Sequence, residues 1–354
     1  MAESLRHRET IRPEHEVQLL QLPLASHDTA GGTHGPAYPA HKPRNLLAVK
    51  RKVRERVMYS QQELLTASKN AVLAGMKVVR QFQLRGAPPA EVKDTDQTLV
   101  TQADRQSGEA IREVLREFLP ELAIHGEDMD GFSSQSSLLI LPDPLDGTRA
   151  FTNGLTTSTV IVGIYDRYIK QLVSCVIGEP ISGRVWTASS GQLTQVHLFD
   201  EPCSREATFW RYATVWDGPL NMQSTILWDL SHGFVSRGKQ ILTDQQIALL
   251  FRHLNQTAPI LMPGSNGLHQ ALVANGGQKL GGSITTAIGG PWDVCGALLV
   301  LQAGGAAQGL SMGHDRQLTK VDPLDVLSYD ILVTGNSQQT VKTLTEAILA
   351  INGQ

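Results

Sequence analysis

The sequence predicts a layered α/β protein, with two sub-domains dividing near residue 205. Three observations carry that prediction. Apolar residues recur at helical spacing after Ser60 and again after residue 103. Between about 158 and 189, STVIVGIY, YIKQLVSCVI and GRVWTAS are short β-branched segments punctuated by Gly and Pro, as in an antiparallel meander. Beyond about 205 helical and strand-like segments alternate again.

Residues 1–57 differ from the rest and read as a partly irregular, solvated extension. They hold TAGGTHGPAYPAHKP and a basic cluster of Lys50, Arg51, Lys52, Arg54 and Arg56. Order is expected from Ser60, which forms a capping box with Glu63 ahead of a helix. Leu64, Ala67, Ala71, Ala74 and Val78 form its stripe, widened by Leu65, Val72 and Val79, and Gly86-Ala-Pro-Pro ends it. A short strand over 98–101 leads into a helix of about 103–117, burying Ile111, Val114, Leu115 and Phe118. A strand near 122–124 precedes the apolar run Leu138-Leu-Ile-Leu141, and the meander follows. Helices are expected over 243–254, over 265–275 with a stop at Gly276, and over 293–303 ahead of Gly304-Gly305. A strand over 331–334 and a helix from about Gln338 close the chain. The sub-domains thus read as 58–205 and 206–354.

The chain has 354 residues and a formal net charge of -3, so no global field draws it to nucleic acid or an anionic membrane. Its three cysteines, Cys175, Cys203 and Cys295, are widely spaced, which fits neither a disulfide framework nor a structural zinc site. No apolar run approaches the roughly 20 residues of a membrane span. The charged start MAESLRHRETIRPEHE lacks the apolar core of a signal peptide. A soluble, cytoplasmic protein is expected.

The chemistry concentrates in LPDPLDGTRAFTNG, residues 141–154. Asp143 and Asp146 stand at the end of the apolar strand, with carbonyls between them, a stiffening Pro144 and a permissive Gly147. Such hard oxygens suit Mg²⁺, and a helix starting at Gly147-Thr148 would offer free N–H groups to an anion. An Asx-turn with incidental acids accounts for this stretch equally well when it is taken alone. Three further acids alter the balance: Asp104 in TLVTQADR, Glu127 in IHGEDMDG and Asp293 in GGPWDVCG. Each sits at a strand end or helix start, the placement that makes carboxylates converge on one cleft.

The series TLVTQADR, GED, DPLDGT and GGPWDVCG with a downstream AGG resembles the inositol monophosphatase superfamily of metal-dependent, lithium-sensitive phosphatases, in order from about residue 60 to 336. The resemblance implies an αβαβα sandwich with the active site between two sub-domains, and two to three Mg²⁺ per site. Glu127, Asp143 and the carbonyl of Leu145 would hold the first metal, and Asp143, Asp146 and Asp293 the second. Asp104 and Thr148, with Glu127, would orient and help deprotonate the attacking water. Gly147 and Thr148 would hold phosphoryl oxygens. The family's Gly-Glu-Glu reads Gly-Glu-Asp here, with Asp128 in third place.

DGTRAFTNG followed by Val160-Ile-Val-Gly-Ile164 resembles the 3′(2′),5′-bisphosphate nucleotidase and inositol polyphosphate 1-phosphatase branch, with Arg149 as a cation for a second phosphate. Ala150 departs from the acid usual there. MPGSNGLHQ matches the branch's substrate turn, making Gly264, Ser265, Asn266 and His269 candidate contacts, although His269 replaces a lysine. The activity implied is Mg²⁺-dependent hydrolysis of a bisphosphate nucleotide or inositol (poly)phosphate. Inositol monophosphatase or fructose-1,6-bisphosphatase activity is the alternative, and a non-catalytic metal- or phospholigand-binding regulator the alternative of another class. The partner is a small phosphorylated metabolite, not a nucleic-acid polymer or a membrane, and the resemblance allows a homodimer.

Overall fold

The computed structural model describes residues 59–353 apart from 93–98, 128, 130–135, 201–205, 229–234, 237–238, 276–278 and 287. All of these described residues fall in one unit, Lys50–Gln354. The expectations for the N-terminal extension, Asp128, Cys203 and the stop at Gly276 lie outside the described residues.

Helix α1 (Gln61–Arg85) begins at the expected capping box: the Ser60 N–H donates to Glu63 Oε2 at 2.7 Å, and the Glu63 N–H to Ser60 Oγ at 3.2 Å. Helix α2 (Gln102–Phe118) begins at a second box, Thr101 with Asp104. The two helices approach closely at Gly75, where a Cβ would stand 2.8 Å from Ser107 Oγ and 2.9 Å from Ile111. Phe118, expected in the core, is exposed. The helix ends there, and it is Leu119 that turns inward.

The first sheet has seven strands in chain order. They are β1 (Ala123–Ile124), β2 (Leu138–Asp146), β3 (Thr159–Asp166), β4 (Gln171–Glu179), β5 (Arg184–Ser189), β6 (Gln192–Leu198) and β7 (Phe209–Tyr212). All pairings are antiparallel except β1 with β2, so the meander read from the sequence is realised. A one-turn helix, α3 (Thr148–Thr152), follows β2.

The second sheet is built from β8 (Thr225–Trp228), β9 (Ile260–Leu261), β10 (Leu280–Thr285), β11 (Ala306–Met312), β12 (Leu318–Val321) and β13 (Ile331–Gly335). Their order is β9-β8-β10-β13-β11-β12, parallel at β9-β8-β10 and antiparallel beyond. Its helices are α4 (Asp244–Thr257), α5 (Asn266–Asn275), α6 (Ala297–Gln302) and α7 (Gln338–Asn352). The helix expected over 293–303 is divided. A 3-10 turn, Pro291–Val294, wraps around the Asp293 carboxylate before α6 starts.

Three apolar cores define five layers. The α1/α2 pair packs on one face of the first sheet through Ala71, Met76, Ile111, Val162 and Val176. α5 and α6 fill the space between the sheets, where Leu268, Ala271 and Leu298 meet Ile161, Trp186 and Leu332. α4 and α7 cover the outer face of the second sheet through Leu250, Leu254, Leu344 and Ile348. The order is αβαβα. No helix among the described residues is long and apolar enough to cross a membrane.

Candidate active site

A regular strand would send Asp143 and Asp146 to opposite faces, because side chains alternate along it. The register of β2 against β3 breaks between them: Asp143 pairs with Ile161 and Asp146 with Thr159. Ile161 and Thr159 are two residues apart and share a face, so the extra residue in β2 brings both carboxylates to one side. Pro144-Leu145 form the bulge. The Leu145 N–H donates to Asp143 Oδ1 at 3.0 Å, and Ser107 Oγ on α2 donates to the Pro144 carbonyl at 2.8 Å.

Asp146 is buried and heavily supported. Its Oδ2 accepts from Thr159 Oγ1 at 2.8 Å, Ser265 Oγ at 2.5 Å and the Gly267 N–H at 2.7 Å, and its Oδ1 accepts from the Asn266 N–H at 3.3 Å. The start of α5 is thereby docked on this one carboxylate, where the N-terminal N–H groups of a helix favour negative charge. Asp293 is held by the N–H groups of Gly289 and Gly290 at 2.6 and 3.2 Å, and its carbonyl by Gln270 Nε2 at 2.7 Å. Asp143, Asp146 and Asp293 each present an oxygen such that all three lie within 4.8 Å of one another.

Burial raises all three carboxyls above the ordinary aspartate range. For Asp143 the charges of Glu127, Asp146 and Asp293 add to burial. Asp293 is pushed up to about 8, by burial first and then by Asp146 and Glu127. Buried carboxylates that repel one another must be protonated or must share a cation. Clustered hard oxygens fit a divalent metal. Glu127 stands half-buried beside the trio, its N–H bonded to the Pro142 carbonyl at 3.2 Å.

Thr148 Oγ1 lies 3.1 Å from Asp104 Oδ1 and 3.0 Å from the Leu145 carbonyl, so its proton can go to either. The other Asp104 oxygen accepts from the Thr101 N–H and hydroxyl at 2.7 and 2.6 Å. Burial raises the Asp104 carboxyl, and the Thr101 bonds oppose that shift. Gly147 has φ +85°, and a Cβ there would meet the Gly264 carbonyl at 2.7 Å. That close approach joins α3 to the turn before α5. A cavity of about 280 Å³ lies beside Asp104, Glu127 and Pro144.

The chain's match to the model of the inositol monophosphatase family runs over residues 60–351. The chain belongs to that family. Among its curated relatives in the family's neighbourhood is the Nus factor SuhB of Pseudomonas aeruginosa, 28% identical over 260 residues, covering 72% of this chain and 88% of the relative. A fructose-1,6-bisphosphatase/inositol-1-monophosphatase of Aquifex aeolicus is 31% identical over a shorter stretch, 30% of this chain and 40% of the relative. The fold is that of the extragenic suppressor protein suhB from Bartonella henselae, with a TM-score of 0.62 at 21% identity over 81% of this chain and 97% of that one. As a member of the inositol monophosphatase family, the chain is a phosphatase, from a metal-dependent family, and it carries a buried acidic cluster suited to metal.

Of the substrate positions expected from sequence, Arg149 is exposed and Gly264 sits at φ +86° facing Ala150. Ser265 is buried and its hydroxyl is committed to Asp146. His269 departs from expectation. It lies on the inner side of α5, fully buried between the sheets, and its ring reaches no open cleft in this conformation. Trp292 packs against the inter-sheet core, its ring 5.8 Å from that of His125. Cys175 and Cys295 are buried, and burial pushes both thiols up, which leaves them inert.

Three supporting residues escaped the sequence reading: Thr159, Ser107 and Gln270. Each is an ordinary hydroxyl or amide residue, given meaning only by a partner 13 to 37 positions away. For Thr159 a signal existed, a polar residue opening a strand that is otherwise Val-Ile-Val.

Proposed function

We propose that the chain is a Mg²⁺-dependent phosphomonoesterase acting on a small phosphorylated metabolite, a 3′(2′),5′-bisphosphate nucleotide or an inositol (poly)phosphate. The observation that carries this reading is the convergence of Asp143, Asp146 and Asp293 next to the Thr148–Asp104 hydrogen bond. Asp143, Asp146 and Asp293, with Glu127 and the Leu145 carbonyl, would hold the metals. A bound divalent cation supplies Lewis acidity to a phosphoryl oxygen and eases deprotonation of water near neutral pH.

The remaining chemistry falls to the chain's own groups. When the Thr148 hydroxyl donates to Asp104, its lone pairs are free to accept a proton from the attacking water. Asp104, made more basic by burial, draws that proton on. The backbone N–H groups of Gly147 and Thr148 meet the phosphoryl oxygens, where fixed donors act without reorganising. Exposed Arg149, one residue on, reaches a second phosphate, which favours a bisphosphorylated substrate.

A second role rests on the relative from Pseudomonas aeruginosa, whose name is that of a Nus factor. By that likeness the chain would also bind a macromolecular partner. One screen separates the readings: phosphate release with Mg²⁺ from adenosine 3′,5′-bisphosphate, inositol mono- and bisphosphates, fructose 1,6-bisphosphate and histidinol phosphate. Turnover of a bisphosphate, abolished in Asp146→Asn, is the expected result. Inertness toward every ester would defeat the enzymatic reading and leave the binding role.

A further inference from the structure

Helix α5 is bonded to two of the three clustered aspartates, and from one face. The Gly267 N–H donates to Asp146 Oδ2 at 2.7 Å, and three residues on Gln270 Nε2 donates to the Asp293 carbonyl at 2.7 Å. Positions three apart lie on the same side of a helix, about 4.5 Å along its axis. Asp146 is delivered by β2, and Asp293 by the 3-10 turn ahead of α6. These elements are far apart in the chain, and α5 ties one to the other.

Gln270 is fully buried, and its amide can point only one way. A carbonyl accepts and never donates, so the amide atom beside the Asp293 carbonyl must be the nitrogen. That nitrogen also lies 3.4 Å from Thr285 Oγ1 on β10. The other side of the amide faces the start of α6, where a Cβ at Gly296 would stand 2.5 Å from both Gln270 Cβ and Oε1. Oε1 has no hydrogen-bond partner among the described residues. A buried acceptor left unmade carries its full desolvation cost, and a methionine or leucine would fill this slot without it. Packing therefore does not account for a glutamine here, whereas its donor does.

We propose that Gln270 is a positioning residue for the metal centre, setting where the Asp293 carboxylate stands relative to Asp146. The Asp293 carboxylate is held by the Gly289 and Gly290 N–H groups at 2.6 and 3.2 Å, and Gln270 holds the main chain of the same residue. Pinned at both ends, the carboxylate keeps its place against the like charge of Asp146. Mg²⁺ demands near-octahedral oxygens, so its affinity depends on that spacing. The inference rests on the reading of Asp143, Asp146 and Asp293 as metal ligands.

Mg²⁺ binding to the metal-free full chain is measured by calorimetry, beside urea unfolding in EDTA. Gln270→Met and Gln270→Leu are close to glutamine in volume and lack the donor. Each leaves the Asp293 carbonyl bare but removes the unpartnered Oε1, so the urea midpoint in EDTA is expected to stay near the wild-type value. Mg²⁺ affinity is expected to fall about tenfold, the usual effect of losing a ligand's outer support. A residue that only packed would move the midpoint and leave Mg²⁺ affinity alone. Unchanged affinity in either variant overturns the proposal, and so does a loss of affinity that comes only with a fallen midpoint. A wild-type chain that binds no Mg²⁺ overturns the metal reading itself, an outcome seen before any variant is made.

Discussion

Ser265 has two duties, and replacing it with alanine separates them. Its Oγ donates to Asp146 Oδ2 at 2.5 Å and accepts the Leu268 N–H at 3.1 Å, as an N-cap does. A hydrogen bond to a buried charged group contributes about 1.5–3 kcal/mol, and a serine cap about 1 kcal/mol. Ser265→Ala is therefore expected to cost about 2.5–4 kcal/mol of unfolding free energy in Mg²⁺. Ser337→Ala provides the control. It removes the cap of α7, whose Oγ accepts the Thr340 N–H at 3.2 Å and touches no carboxylate, and should cost about 1 kcal/mol. Urea titrations with Mg²⁺ and with EDTA measure both. With one of four hydrogen bonds to Asp146 gone, Mg²⁺ affinity should also fall about 10- to 100-fold, the usual effect of losing a ligand's support. Equal costs for the two variants, with unchanged Mg²⁺ affinity, would refute the account of Asp146 and leave Ser265 a cap alone.

Three other outcomes are expected. In the folded, metal-stripped protein Asp143 and Asp293 hold protons that the unfolded chain releases near its ordinary value of 3.8, with Asp293 held to about 8. For Asp293 the contribution to stability is thus complete below about pH 4 and lost as pH rises through about 8, and the raised Asp143 carboxyl adds a loss of the same sign. The urea midpoint in EDTA should fall between pH 5 and 8.5, and Mg²⁺ binding should release protons, seen as a buffer-dependent heat. A midpoint in EDTA that rises over this range contradicts the picture. Thr148→Val removes the hydroxyl shared by Asp104 and the Leu145 carbonyl while keeping the side chain's shape. Turnover should drop about 10²-fold or more with little change in KM, since the group acts in the chemical step. A loss confined to KM would make Thr148 a binding residue instead.

The tetrapeptide Asp-Pro-Leu-Asp occurs twice in this chain, at 143–146 and at 322–325. Both copies make the same local turn. Asp322 Oδ1 accepts the Leu324 N–H at 2.8 Å, as Asp143 Oδ1 accepts that of Leu145 at 3.0 Å. The second copy is the plain Asx-turn that the motif allows. Asp322 is exposed, and Asp325 takes the Tyr165 hydroxyl at 2.5 Å. Four residues therefore do not define a metal site. The distinction was nonetheless legible over the longer range, in the Gly-Thr after Asp146 and in Asp104, Glu127 and Asp293 at their own junctions.

What the sequence determined by itself is whatever depends on near neighbours: the capping boxes at Ser60 and Thr101, the antiparallel meander, and the acids at strand ends and helix starts. Those features need partners only two to four residues away or on the next strand. Tertiary structure alone decided that a bulge against β3 turns Asp143 and Asp146 to one side, that the start of α5 docks on Asp146, and that His269 is drawn into the core. The last two depend on packing between segments far apart in the chain, and the bulge on the register that β2 takes against β3, which no local pattern displays. A carboxylate's neighbours there, and hence its charge and its use, follow from which layers close upon it.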